Sequence, residues 1–252
     1  MAHHRIAPVF AVLALGLAGA AWAAPVPANI QAALADKGRP AVEVSRDAAR
    51  KPGELLAFSG KVKPGAHVAD LIIGGGYFTR VLAVAVGPKG GVVAYQPAEF
   101  IAYRAAYADE LKAVAGAHAN ITPLTTSLGG LELPAGLDLV MTVQNYHDLH
   151  LKPFPADNAA KVNAAVFKAL KPGGVYLVVD HAALAGAPLT TADTLHRVDE
   201  AIVKQEVEAA GFKLDAESPM LHDAADPHTA SVFDPAIRGK TDQFVLKFKK
   251  PG

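Results

Sequence analysis

Between Gln144 and His150 the chain reads Gln144-Asn145-Tyr146-His147-Asp148-Leu149-His150, bringing two imidazoles, a phenol, a carboxylate and two amides into one short run. An imidazole titrates near neutral pH and takes a proton from a hydroxyl or an amine, so His147 is the candidate general base, with Asp148 placed to orient it or to stay solvated. Tyr146 stands beside it, and His181 closes the apolar run Val178-Val179-Asp180-His181. Each of these residues also has a plain reading as a hydrogen-bonded structural group. The histidines permit a metal reading as well. His147-x-x-His150 spaces two rings at i and i+3, and Asp148, His181, His222 and His228 add nitrogen and oxygen ligands. That spacing does not match H-E-x-x-H, so no residue is assigned to a resident metal.

A second place with chemical potential is Asp70-Leu71-Ile72-Ile73-Gly74-Gly75-Gly76-Tyr77-Phe78-Thr79. A glycine-rich turn between a strand and its helix lets backbone N–H groups approach a ligand with no Cβ in the way. The phosphate fingerprint G-x-G-x-x-G fails here, because Ile72 stands two before Gly74 and Tyr77-Phe78-Thr79 follows Gly76. Arg238-Gly239-Lys240-Thr241 fails as a P-loop, because its upstream glycine position holds Asp234. Neither Ser59 nor Ser127 has the flanking glycine pair of a hydrolase nucleophile elbow.

Groups like these need a scaffold, and the rest of the chain has the form of one. Short apolar runs at His67 to Ile73, Val92 to Gln96, Ile121 to Leu124, Leu137 to Val143 and Val175 to His181 are expected strands, apolar on both faces as in a sheet covered by helices. Between them are helical periods: Phe100, Tyr103, Tyr107, Leu111 and Val114; Val162, Val166, Ala169 and Leu170; Leu195, Val198 and Ile202. Arg197 and Glu206 are expected on a solvated helix face. Gly87-Pro88-Lys89-Gly90-Gly91, Lys171-Pro172-Gly173-Gly174 and Gly211-Phe212 each stop a helix before a strand. This alternation predicts an α/β fold around a parallel sheet. The final strand, around Phe244, Leu246 and Phe248, alternates with Val245, Lys247 and Lys249 and is expected to show one more solvated face. The punctuated stretch from Asp226 to Asp242 is either a lid or a surface connection.

Hydrophobic residues make up 51% of the 252 and charged ones 19%, which argues against disorder. Basic and acidic residues balance at 24 each with no basic run, so nucleic acid is not an expected partner. Cysteine is absent, which excludes disulfides, thiolate metal sites and cysteine nucleophiles. Residues 1–23 join Arg5, an apolar stretch and Ala21-Trp22-Ala23 in the pattern of a signal peptide, an uncleaved anchor being the other reading. Cleavage after Ala23 predicts an exported protein, periplasmic or secreted, with no stable membrane insertion and without Trp22, the only tryptophan. Residues 24–60 read as a helical cap and 61–252 as the α/β domain.

The layout resembles the class I S-adenosylmethionine-dependent methyltransferases, in particular a family of exported predicted methyltransferases. The residues that carry the resemblance are Val68-Ala69-Asp70 with Gly74-Gly75-Gly76, Val86 to Val92, Leu170 to Leu177, Glu208 to Phe212, and Val232 to Phe244. The resemblance implies a Rossmann-like, mostly parallel seven-stranded sheet with helices on both faces. It implies S-adenosylmethionine as cofactor, held by Asp70, Gly74, Gly75, Gly76, Tyr77, Gln96 and Asn145. It places His147, Tyr146 and His181 at a small-molecule acceptor. Ile72 replaces the usual first glycine of the loop, and Gln96 stands where an acid is usual. The other reading is a non-catalytic or metal-binding protein on the same fold.

Overall fold

The computed structural model describes residues 25–252. The expected signal peptide, residues 1–23, lies outside the described residues. Ten helices are described: α1 (Ala28–Leu34), α2 (Ala41–Val44), α3 (Asp47–Arg50), α4 (Pro52–Ser59), α5 (Tyr77–Val86), α6 (Ala98–Tyr103), α7 (Ala106–Ala117), α8 (Asn158–Ala169), α9 (Thr191–Leu195) and α10 (Glu200–Ala209). The strands are β1 (His67–Leu71), β2 (Gly91–Tyr95), β3 (Ile121–Leu124), β4 (Leu137–Val143), β5 (Leu170–His181), β6 (Lys213–Ser218) and β7 (Gln243–Lys249). They form one sheet in the order β3-β2-β1-β4-β5-β7-β6. All neighbours are parallel except β7, which runs antiparallel to both β5 and β6. The expected Rossmann-like, mostly parallel seven-stranded sheet is therefore the observed one. The strand order reverses between β1 and β4, and a crevice opens at the carboxyl ends of the strands at such a point.

Alternation along each strand sends side chains into two apolar layers. Val68, Leu139, Met141, Leu177 and Val179 enter one layer, covered by α1, α4, α5 and α7. Ala69, Val140, Tyr176 and Val178 enter the other, against α8 and α10. The N-terminal helices share the first layer: Ile30, Ala33, Leu55 and Leu56 are fully buried in it, and Asn29 donates to the carbonyls of Val62 and Ala85. Each such aliphatic side chain contributes about 1.5–3 kcal/mol by leaving water. That packing fixes α3 above the sheet edge.

Several expectations are corrected. The period from Phe100 to Val114 is two helices, because Arg104 is extended at φ −137° between α6 and α7. The period from Leu195 to Ile202 is also broken: His196 turns left-handed at φ 54°, and Asp199 caps a new helix by accepting from the Ala201 N–H. β7 is an interior strand, with Phe244 to Leu246 buried, and β6 takes the solvated edge. Arg197 is fully buried. Among the described residues no helix is long and apolar enough to cross a membrane.

Candidate functional site

At the carboxyl edge β1 ends at Leu71, because Ile72 enters the left-handed region at φ 54°. A β-branched residue there is costly and persists only where its surroundings over-determine it. Here the Ile72 carbonyl accepts from the Asn145 side-chain amide at 3.0 Å, while the Asn145 carbonyl oxygen accepts from the Val143 N–H at 3.0 Å. Asn145 thus ties the end of β1 to the end of β4. The turn continues through Gly74 at φ 54° and Gly76 at φ 82°. A Cβ on Gly74 or Gly75 would meet nothing within 4 Å, whereas one on Gly76 would lie 2.3 Å from Val114. Gly76 serves packing, and Gly74 and Gly75 border open space.

That space is a cavity of about 210 Å³, with Arg46, Arg50, Asp70, Gly74, Gly75 and Asn145 in its wall. A larger hollow of about 660 Å³ between Ala83 and Asn120 lies at the opposite, amino edge and has no carboxylate in its wall. Asp70 is buried, and burial pushes its carboxyl up to about 6 against the Thr79 hydroxyl, which donates at 2.6 Å, and the charge of Arg50. The Gln96 side-chain oxygen accepts from the Gly74 N–H at 3.0 Å, which fixes the amide orientation and leaves Nε2 buried without a partner. Tyr77 donates its hydroxyl to Asp47, and the Arg50 guanidinium sits 4.4 Å over its ring. Burial lowers Arg50 to about 10, so it stays cationic at neutral pH. Arg46 and Arg50 belong to the segment expected as a helical cap, where no motif marks them as cavity residues.

The ends of β4 and β5 carry the histidines. The His147 Nδ1 lies 2.9 and 3.0 Å from the two carboxylate oxygens of the fully buried Asp180, which also accepts the backbone N–H of His147 and of His181. Asp180, not Asp148, orients His147. Burial alone would lower His147, but the Asp180 and Asp148 carboxylates reverse this and raise it to about 9. Burial lifts Asp148 to about 6, and it lowers His181 to about 4. The two flanking carboxylates thus favour the protonated form of His147, and burial favours the neutral form of His181. The His181 Nδ1 pairs with the Thr241 hydroxyl at 2.7 Å, so the stretch from Asp226 to Asp242 reaches the site.

Tyr146 turns the other way. Its hydroxyl donates to Glu206 at 2.9 Å and accepts from Asn163 at 2.8 Å, within the second apolar layer. His150 also pairs with Glu206, while His222 and His228 both pair with Asp242. The six possible metal ligands of the sequence thus divide among separate places. His196 was missed, since its position inside a helical period carried no signal. It lies with His147 and Asp148, its Nδ1 3.3 Å from the His147 Nε2.

No family model and no curated protein matches the chain. Solved structures match its fold. A SAM-dependent methyltransferase from Aquifex aeolicus is 20% identical with a TM-score of 0.56, over 82% of this chain and 93% of that one. The fibrillarin of Aeropyrum pernix, solved with natively bound S-adenosyl-L-methionine, is 16% identical with a TM-score of 0.53, over 81% and 76%. A possible exported protein from Bordetella parapertussis is 16% identical with a TM-score of 0.52, over 84% and 70%. The chain has the fold of the class I SAM-dependent methyltransferases.

Proposed function

We propose that the protein is an exported S-adenosylmethionine-dependent methyltransferase acting on a small-molecule acceptor, and that the cavity at the ends of β1 and β4 holds the cofactor. The observation that carries this reading is the open Gly74-Gly75 turn, bordered by buried Asp70 and by the unpartnered Gln96 Nε2. Such a set fits an amino-acid end. Arg46 and Arg50 take the carboxylate and Asp70 takes the ammonium, while Gln96, fully buried behind the turn, holds the Gly74 N–H. Asn145 holds the two strand ends in register.

S-adenosylmethionine supplies a methyl group already activated on a sulfonium. The chain's own task is then largely alignment, for which a rigid edge suffices. His147, its Nδ1 held by Asp180, and His181 at the end of β5 are the imidazoles on this edge that would exchange the proton an acceptor hydroxyl or amine gives up. Export is supported by the charged, apolar and small-residue order of residues 1–23. Protein recovered from the exported fraction begins at Ala24 and lacks indole emission; Trp22 fluorescence there refutes cleavage.

The test of the cofactor reading is isothermal titration of S-adenosylhomocysteine into the chelator-treated mature chain, residues 24–252. We expect one-to-one binding with a Kd of about 1–100 μM, between roughly −8 and −5 kcal/mol. Gly75→Val should abolish it with an unchanged melting temperature, since the new side chain enters only the cavity. A folded wild-type chain that gives no heat and no thermal shift sinks the reading, and leaves a non-catalytic protein on this fold.

A further inference from the structure

We infer that His147, Asp148 and His196 form a binding site for a divalent transition-metal ion of the zinc or cobalt type. The donor atoms are the His147 Nε2, the His196 Nδ1 and an Asp148 carboxylate oxygen. Their separations are 3.3 Å between the two nitrogens, 3.3 Å from His147 to Asp148 and 3.9 Å from His196 to Asp148. A triangle with those sides is circumscribed by a circle of radius about 2.1 Å, which is the length of a zinc–imidazole or zinc–carboxylate bond. A single point at bonding distance from all three donors therefore exists without moving them. Two imidazoles and one carboxylate are a donor set for borderline cations rather than for calcium or magnesium.

What stands behind the donors supports the same conclusion. Asp180, fully buried, faces the His147 Nδ1 with both oxygens, so the Nδ1 proton is directed at the carboxylate and the Nε2 is left as the atom 3.3 Å from both His196 and Asp148. This is the carboxylate–histidine–metal arrangement that fixes tautomer and ring direction. With Asp148, it also supplies two negative charges against the ion.

His196 reaches the cluster only by adopting φ 54°, a conformation costing a non-glycine residue about 1–3 kcal/mol and found preferentially at functional sites. Three contacts hold it there. The Val232 N–H donates to the Leu195 carbonyl, the Phe233 ring stands edge-on 4.7 Å from the imidazole, and the neighbouring Arg197 is locked by a bidentate pair with Asp226. The side chains of His196 and Asp148 are 28% and 14% exposed, so the ion is reachable from solvent. Three protein ligands leave a coordination position open, as in catalytic rather than structural zinc sites. An oxygen, nitrogen or sulfur group that took this position would lose its proton more easily beside the cation. Metal binding itself does not depend on the cofactor reading.

The experiment is a titration of Co2+ into the untagged, chelator-treated mature chain, followed by its visible ligand-field absorption. We expect saturation at one equivalent, bleaching by Zn2+, and broadening of the His147 and His196 imidazole proton resonances. Asp148→Asn and His196→Gln should each weaken binding at least about tenfold, within the range seen when a metal site loses a supporting group, while His222→Gln leaves it unchanged. Melting curves confirm that the variants are folded, and the broadening in the wild-type chain needs no variant. Absence of a ligand-field band, broadening confined to other histidines, or binding indifferent to both substitutions would overturn the inference. Failure of the S-adenosylhomocysteine titration would leave it standing.

Discussion

The ends of β1 and β2 and the ends of β4 and β5 lie along one edge of one sheet, yet they are built in opposite ways. The first region is a backbone construction: a left-handed Ile72, an open glycine pair and a helix start, with Asp70 and Gln96 only partly paired. The second is a side-chain construction. His147, Asp148, Asp180, His181 and His196 come from three separate stretches of chain and are locked by Arg197, Asp226 and Thr241 from further along. A cleft left underfilled and a cluster tied from all sides suit different tasks. The one has room for a ligand, and the other holds charged groups still.

The largest test of that contrast is Arg197→Met. It leaves the Asp226 carboxylate buried with its charge partner removed, and we expect a loss of about 3–5 kcal/mol in chemical denaturation, partly restored by Arg197→Met with Asp226→Leu. A loss below 1 kcal/mol, on the order of an exposed ion pair, breaks the claim that the second region is locked. Next is Gly76→Ala. Its Cβ would strike Val114 while its backbone stays left-handed, at a cost of about 2–4 kcal/mol, against almost none for Gly75→Val. Equal costs would show that the turn is not divided between packing and cavity.

Asp70 sharpens the comparison through pH. Its folded pKa of about 6 is above the ordinary 3.8, so the folded state binds the proton more tightly. The stability this contributes is complete below pH 3.8 and is lost as pH rises through 6. Asp70→Asn removes the loss, so at pH 7 the variant is more stable than wild type by about 2–3 kcal/mol while its S-adenosylhomocysteine affinity falls. A variant whose gain over wild type is no larger at pH 7 than at pH 4 contradicts this account of the cleft. The smallest effect is expected for Tyr146→Phe. Loss of the hydroxyl between Glu206 and Asn163 costs about 1–2 kcal/mol, and S-adenosylhomocysteine affinity is unchanged. A tenfold loss of affinity would return Tyr146 to the cleft.

The alternation of strands and helices, the glycine turn after β1, the acid at Asp70 and the polar run after β4 are all legible in the amino-acid sequence. These are local properties. Two-sided apolar runs specify buried strands, and three glycines in a row mark where the backbone must turn tightly, so neighbours in sequence suffice to state them. Only the tertiary structure decided which polar residues meet. Tyr146 and His147 are adjacent, yet one enters the core and the other the edge, because the turn after β4 divides their directions. His196 sits in a period that reads as continuous helix, and Arg197 in one that reads as solvated face. The break that brings the first to His147 and buries the second is imposed by partners at Asp226, Ala230 and Val232. Periodicity registers the average environment of a segment, whereas a cluster depends on single contacts between segments distant in sequence, and those exist only once the sheet has brought them together.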